Sequence, residues 1–137
     1  GTKTFDFKFI QNKIDNENTI IYGHLNHFKI NEMMNKSQLM VLPSLQDGSG
    51  IVISQALKTG LPVIVTENTG TEKLVKEFQC GYVVPIRDSN ILHDRIDYLI
   101  ENQHQLKLFS DNAKKFAQNH TWKNYVDQLI KIIDQFS

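Results

Sequence analysis

The sequence predicts an α/β domain with a parallel sheet. Three observations carry that reading. Short apolar runs of β-type residues alternate with helix-length segments across the middle of the chain. The runs are near-continuously apolar, as strands buried on both faces are. Glycine or proline punctuates almost every junction between them. At 137 residues the chain has room for one domain, on a prior of about 100–200 residues each.

In chain order, Thr19-Ile20-Ile21-Tyr22 is a first strand candidate, stopped by Gly23. Ile30, Met33, Met34 and Ser37 then fall at the spacing of one helix face. Leu39-Met40-Val41-Leu42 is the second strand, ended by Pro43-Ser44. The turn Asp47-Gly48-Ser49-Gly50 leads into a helical run from Ile51 to Thr59, and Gly60 stands where a helix-ending glycine would. Pro62-Val63-Ile64-Val65-Thr66 is the third strand, with Pro62 tolerated as its first residue. Thr69-Gly70-Thr71 opens a helix carrying Leu74, Val75 and Phe78, and Gly81-Tyr82-Val83-Val84-Pro85 is the fourth strand. Beyond Ile86 the pattern is purely helical. Ser89 is placed to cap a helix with Leu92, Ile96, Leu99 and Ile100. A second helix holds Leu106, Phe109, Ala113 and Phe116. A third starts at Thr121 and carries Trp122, Tyr125, Val126, Leu129, Ile130, Ile133 and Phe136 on one stripe, read as packing on its own domain rather than on a membrane. The first residues stay open: Phe5, Phe7 and Phe9 alternate like a strand, while Ile10 and Ile14 fit a helix.

Composition narrows the function. Fifteen Lys+Arg balance fifteen Asp+Glu, which argues against nonspecific binding to nucleic acid or an anionic membrane. The single cysteine, Cys80, cannot form an internal disulfide. No apolar run approaches the about 18 residues of a membrane span, and Gly1–Ile10 lacks signal-peptide character. The chain reads as cytoplasmic, with peripheral membrane association left open for an intact enzyme. Gly1 in place of Met suggests a cut-out piece. Five histidines and the cysteine show no zinc spacing, so neither a metal nor another cofactor is expected.

The constellation with most chemical content runs from Pro43 to Val65. A strand ends, a turn with two glycines follows, and a helix begins at once. Such a helix start presents the free N–H groups of Gly50, Ile51 and Val52 above the strand ends, a ready phosphate site. Ligands of open α/β sheets bind at that edge. A plain strand-turn-helix connection accounts for the same residues equally well. Elsewhere, His24 and His27 read more simply as solvated loop residues than as ligand contacts. Cys80 reads as a small buried hydrophobe, and Ser44 as a bond to local backbone. Glu67 and Asn68 serve equally as sugar or phosphate contacts and as caps of the next helix.

The stretch Pro43-Ser44-Leu45-Gln46-Asp47-Gly48-Ser49-Gly50-Ile51-Val52-Ile53-Ser54-Gln55-Ala56-Leu57-Lys58-Thr59-Gly60-Leu61-Pro62-Val63-Ile64 resembles the donor-site signature of the retaining family 4 glycosyltransferases, which have the GT-B fold. That signature is Pro-Ser, a Glu-Gly-Phe-Gly turn, a second Glu at the place of Gln55, then Ala, Gly and Pro-Val. Ile21-Tyr22-Gly23, Asn68-Thr69-Gly70, Gly81–Pro85 and His120-Thr121-Trp122 resemble further family motifs, in the family's order. The resemblance extends from about Thr19 to Phe136.

The resemblance implies a Rossmann-like, partial GT-B C-terminal domain over residues 1–137, with 87–137 as its C-terminal helices. It implies a hexosyltransferase-type enzyme that binds a nucleotide-diphosphate sugar for transfer to an acceptor. Asp47 takes the catalytic-site position that faces the donor sugar. Gly48, Ser49, Gly50, Ile51 and Val52 line the diphosphate, and Gln55 takes the position that bonds the ribose hydroxyls. Asp47 is one methylene shorter than the family's Glu, Gln55 keeps a carbonyl acceptor but no charge, and Ser49 replaces an aromatic. The family's acceptor-side domain, and the strands whose Arg and Lys contact the diphosphate, have no counterpart before Thr19. The alternative is a noncatalytic nucleotide-sugar-binding or interaction module. In the family's strand order two further strands lie between Thr19–Tyr22 and Leu39–Leu42. Their absence would leave open edges, so rearranged pairing or self-association is expected, with Phe5–Ile10 a candidate filler.

Overall fold

The structure is a computed structural model, and it describes residues 18–45 and 50–136. Helix α1 (His27–Lys36) precedes strand β1 (Met40–Leu42), and α2 (Ile51–Lys58) leads to β2 (Val63–Thr66). Helix α3 (Glu72–Phe78) and β3 (Gly81–Val84) follow. The chain closes with α4 (Ser89–Glu101), α5 (Gln103–Asn119) and α6 (Trp122–Gln135). The sheet order is β1-β2-β3 and both pairings are parallel. All three strands therefore point their carboxyl ends to one edge.

Alternation along the strands divides the core into two layers. Met40, Leu42, Val63, Val65 and Val83 face a cluster built from Met34 of α1, Ile53, Ala56 and Leu57 of α2, Val75 of α3, and Ala113 and Phe116 of α5. Val41, Ile64, Tyr82 and Val84 face Leu92, Ile96 and Leu99 of α4 and Leu106 and Phe109 of α5. Helices thus cover both faces of the sheet, as parallel strands require. Every residue of β2 is buried.

One glycine is demanded by contact alone. A Cβ on Gly81 would lie 1.7 Å from the Val63 carbonyl oxygen, its ladder neighbour across β2 and β3. Cys80, next to it, is fully buried, and burial pushes its thiol pKa up to about 11. It behaves as the small hydrophobe its surroundings suggest.

Several expectations need correction. Thr19–Tyr22 forms no strand: Ile20, Ile21 and Tyr22 are exposed, and among the described residues no strand lies beside them to complete a ladder. An apolar β-type run needs a neighbour before it becomes a strand. Asp88, one residue before Ser89, caps α4, its carboxylate accepting from the Ile91 N–H at 3.0 Å. Stripe residues Leu129, Ile130 and Ile133 of α6, and Phe136 at its C-cap, are exposed rather than packed on the domain. Before α6, the rings of Phe78, Phe116 and His120 meet edge-on or stacked. The three strands show no rearranged pairing, and Phe5–Ile10 lies outside the described residues.

The Gly81 contact gives a direct test. Gly81→Ala must separate β2 from β3, and it is expected to cost about 3 kcal/mol or more, the scale of severe core lesions. Chemical denaturation measures it. A loss within about 0.5 kcal/mol, the ordinary range for surface substitutions, would show that the ladder is not held as described.

Candidate functional site

The carboxyl edge of the sheet is where the chain brings its chemistry together. β1 runs out through Pro43, Ser44 and Leu45, β2 through Glu67, Asn68 and Thr69, and β3 through Pro85, Ile86 and Arg87. Thr66, buried at the end of β2, donates its hydroxyl hydrogen bond to the Ser44 carbonyl. That bond ties the exit of β1 to β2 just before the glycine turn. A shallow pocket of about 260 Å³ lies at this edge, lined among others by Pro43, Leu45, Thr66, Pro85 and Arg87.

Helix α2 starts at the same edge. Its N-cap, Gly50, has φ 55° and ψ 1°, a left-handed conformation that glycine adopts at no steric cost. The Ser54 N–H donates to the Gly50 carbonyl at 3.1 Å, so the N–H groups of Ile51, Val52 and Ile53 precede the helical ladder and have no acceptor within it. No side chain among the described residues caps this end. Ile51 is exposed, Val52 and Gln55 are half-buried, and Ile53, Ala56 and Leu57 hold the helix in the core. Of the sequence-predicted site residues, Gly50, Ile51, Val52 and Gln55 therefore fall together on the first turns of α2. Asp47, Gly48 and Ser49 lie outside the described residues.

The neighbouring loop after β2 has a different occupant. Glu72 reaches back so that its carboxylate accepts from the Thr69 N–H at 3.0 Å. Its own backbone N–H, then those of Asn68, Thr69 and Gly70, hold its carboxyl below the ordinary value of 4.5, against the opposing effect of burial. Asn68 sits at φ 67° and Gly70 at φ 77°. The Thr69 amide is engaged by the chain's own carboxylate. Neither Glu67 nor Asn68 caps α3; Glu67 instead donates its N–H to the Val84 carbonyl at 2.9 Å. Beneath this loop Thr69 and Thr71 are buried with their hydroxyls 2.9 Å apart. Sequence reasoning missed Thr66, Thr69, Thr71 and Glu72, although Thr69-x-x-Glu72 has the spacing of a capping box. His24 and His27 are exposed near the start of α1. No cluster of three or more metal-ligating side chains occurs among the described residues.

A three-layer parallel α/β domain with a glycine-started helix at the carboxyl edge of its sheet is a Rossmann-like architecture. The comparisons with known proteins agree. The family described as glycosyl transferases group 1 matches residues 5–116, and the chain belongs to that family. It is similar to an uncharacterized glycosyltransferase of Methanocaldococcus jannaschii, with 26% identity over 130 residues, covering 88% of this chain and 37% of that protein. It is also similar to D-inositol 3-phosphate glycosyltransferase of Corynebacterium urealyticum, with 26% identity over 96 residues, covering 70% of this chain and 23% of that protein. Among solved structures, sucrose-phosphate synthase from Thermosynechococcus elongatus superposes with a TM-score of 0.78 at 21% identity, over 94% of this chain and 33% of that one. The C-terminal domain of a group 1 glycosyltransferase from Francisella tularensis gives 0.69 at 19% identity, over 82% of this chain and 58% of that one. The chain spans 37% and 23% of the lengths of the two curated relatives named here. No helix is long and apolar enough among the described residues to cross a membrane.

The Glu72 bonds make stability depend on acid. A carboxyl with a depressed folded pKa contributes stability that is complete above its unfolded value and is lost as pH falls through the folded one. Glu72→Gln removes that titration, so its stability should fall less steeply than wild type below pH 4.5, the group's ordinary value. Denaturation midpoints across the acid range measure this. Identical acid limbs would show that the loop amides do not hold the charged carboxylate.

Proposed function

We propose that this chain is the donor-binding domain of a retaining glycosyltransferase that takes a nucleotide-diphosphate sugar. The observation that carries the reading is the left-handed Gly50 start of α2 at the carboxyl edge of the sheet, inside the segment matched by the glycosyltransferase family. Such a start offers the N–H groups of Ile51 and Val52 to the diphosphate, with the positive end of the helix dipole behind them. When the bond between the anomeric carbon and the diphosphate oxygen breaks, negative charge collects on the leaving phosphate. Preorganised amides stabilise that charge without reorganising.

Asp47 and Gln55 orient rather than transfer protons in this reading. Asp47 holds the hexosyl unit through its hydroxyls, and Gln55 bonds the ribose with its amide. No metal is required. A helix N-terminus in exposed surroundings contributes about 0.3–1 kcal/mol toward an anion, so the 137 residues alone should bind a nucleoside diphosphate weakly, near the millimolar range of about −4 kcal/mol. Transfer needs donor and acceptor held together. It is therefore assigned to a protein in which this domain is joined to an acceptor-binding one, in keeping with the lengths of the relatives.

Gln55 tests the reading. Ligand-observed NMR titration with uridine, guanosine and adenosine diphosphates should show weak binding to wild type. Gln55→Ala should lose about 1 kcal/mol, a typical net hydrogen bond, while Gln55→Glu keeps most of the affinity because the acceptor survives. Equal affinities for wild type and Gln55→Ala would remove Gln55 from the site.

A further inference from the structure

The start of α2 is held from outside its own loop. Gly50 is at φ 55°, and a Cβ built on it would lie 2.6 Å from the Thr71 Cγ2 methyl. Thr71 therefore fills the space against the Gly50 Cα that any other residue would need. Thr71 is itself fixed. Its hydroxyl lies 2.9 Å from the buried hydroxyl of Thr69, and its carbonyl accepts from the Val75 N–H at 3.0 Å. The Thr69 N–H is in turn held by the Glu72 carboxylate. A β-branched side chain has few χ1 choices, and with its hydroxyl engaged the methyl is left facing Gly50.

We propose that Thr71 is a positioning residue for the donor diphosphate: its methyl keeps Gly50 in the left-handed conformation that aims the Ile51 and Val52 amides, and Thr69 keeps Thr71 in place. This rests on the donor-site reading above. Thr71 touches backbone and not ligand, and its effect passes through Gly50. Glycine is free to leave φ > 0 once nothing restrains it. The amides that follow Gly50 would then share their time among several directions, and binding would lose preorganisation.

Thr71→Ser keeps the hydroxyl and removes the methyl. Two measurements on the 137-residue chain decide the matter: the Gly50 and Ile51 backbone NMR shifts without ligand, and the affinity for uridine diphosphate. Thr71→Ser should move the Gly50 and Ile51 signals, leave those of β2 in place, and weaken uridine diphosphate binding about three- to tenfold, the span of one net hydrogen bond. Thr69→Val loosens Thr71 without touching its methyl and should move the same signals, whereas Thr69→Ser keeps the hydroxyl and should match wild type. Unmoved Gly50 signals in Thr71→Ser and Thr69→Val would overturn the restraint. Moved signals with unchanged affinity would overturn its bearing on the diphosphate. If wild type binds none of the uridine, guanosine and adenosine diphosphates, the donor-site reading falls and takes that bearing with it, while the Gly50 shifts still decide the restraint.

Discussion

The enclosure of β2 is the constraint on which the rest depends. Its four residues are buried, with a parallel partner on each side and helices over both faces. Each backbone N–H and C=O so placed must find a partner within the protein, because water cannot reach it. The parallel register supplies those partners, and it requires Gly81 to pass against the Val63 carbonyl with no side chain at all. Once β2 is set, its last residue determines what happens at the edge. Thr66 reaches from β2 to the Ser44 carbonyl and fixes where β1 leaves the sheet. The loop after Thr66 carries Thr69 and Thr71 beneath Gly50. The candidate site is thus suspended from β2 on both sides.

The electrostatics of that edge are divided between two loops. Both offer backbone N–H groups, but in one of them an N–H is already taken. The Thr69 N–H is bonded to the Glu72 carboxylate, whose pKa the neighbouring backbone N–H groups lower. The first turn of α2 begins at a glycine with no side-chain cap among the described residues. A bonded loop beside a helix start with no side-chain cap among the described residues leaves that helix start as the end the proposed diphosphate would meet. It also explains why the loop can brace Gly50 without competing for the same ligand.

Much of this was legible in the chain. The runs at Met40–Leu42, Val63–Thr66 and Gly81–Val84 were plain because strands buried on both faces need continuous apolar residues. Gly60 after α2 was readable for a similarly local reason, and it sits at φ 77°. Most of the failures are tertiary. Ile20 and Ile21 have strand propensity but lack a neighbour, and propensity alone makes no ladder. Periodicity in α6 reveals an apolar stripe but not what covers it. At α4, Asp88 and Ser89 are both good caps, and the choice depends on one backbone turn. In the site, the Gly50 helix start followed from the turn glycines. The Thr69–Thr71 brace did not, since contact between residues 50 and 71 depends on the β2 crossover and not on local pattern.

The central claim is that a donor diphosphate sits on the first turn of α2. The most direct measurement is a two-dimensional amide NMR titration of the ¹⁵N-labelled chain with uridine, guanosine and adenosine diphosphates. At least one of them should move the Gly50, Ile51 and Val52 amides most, with smaller effects at Asn68 and none at the far ends of the strands. Perturbations centred elsewhere, or no saturable change at Gly50 to Val52 with any of the three, would contradict the account.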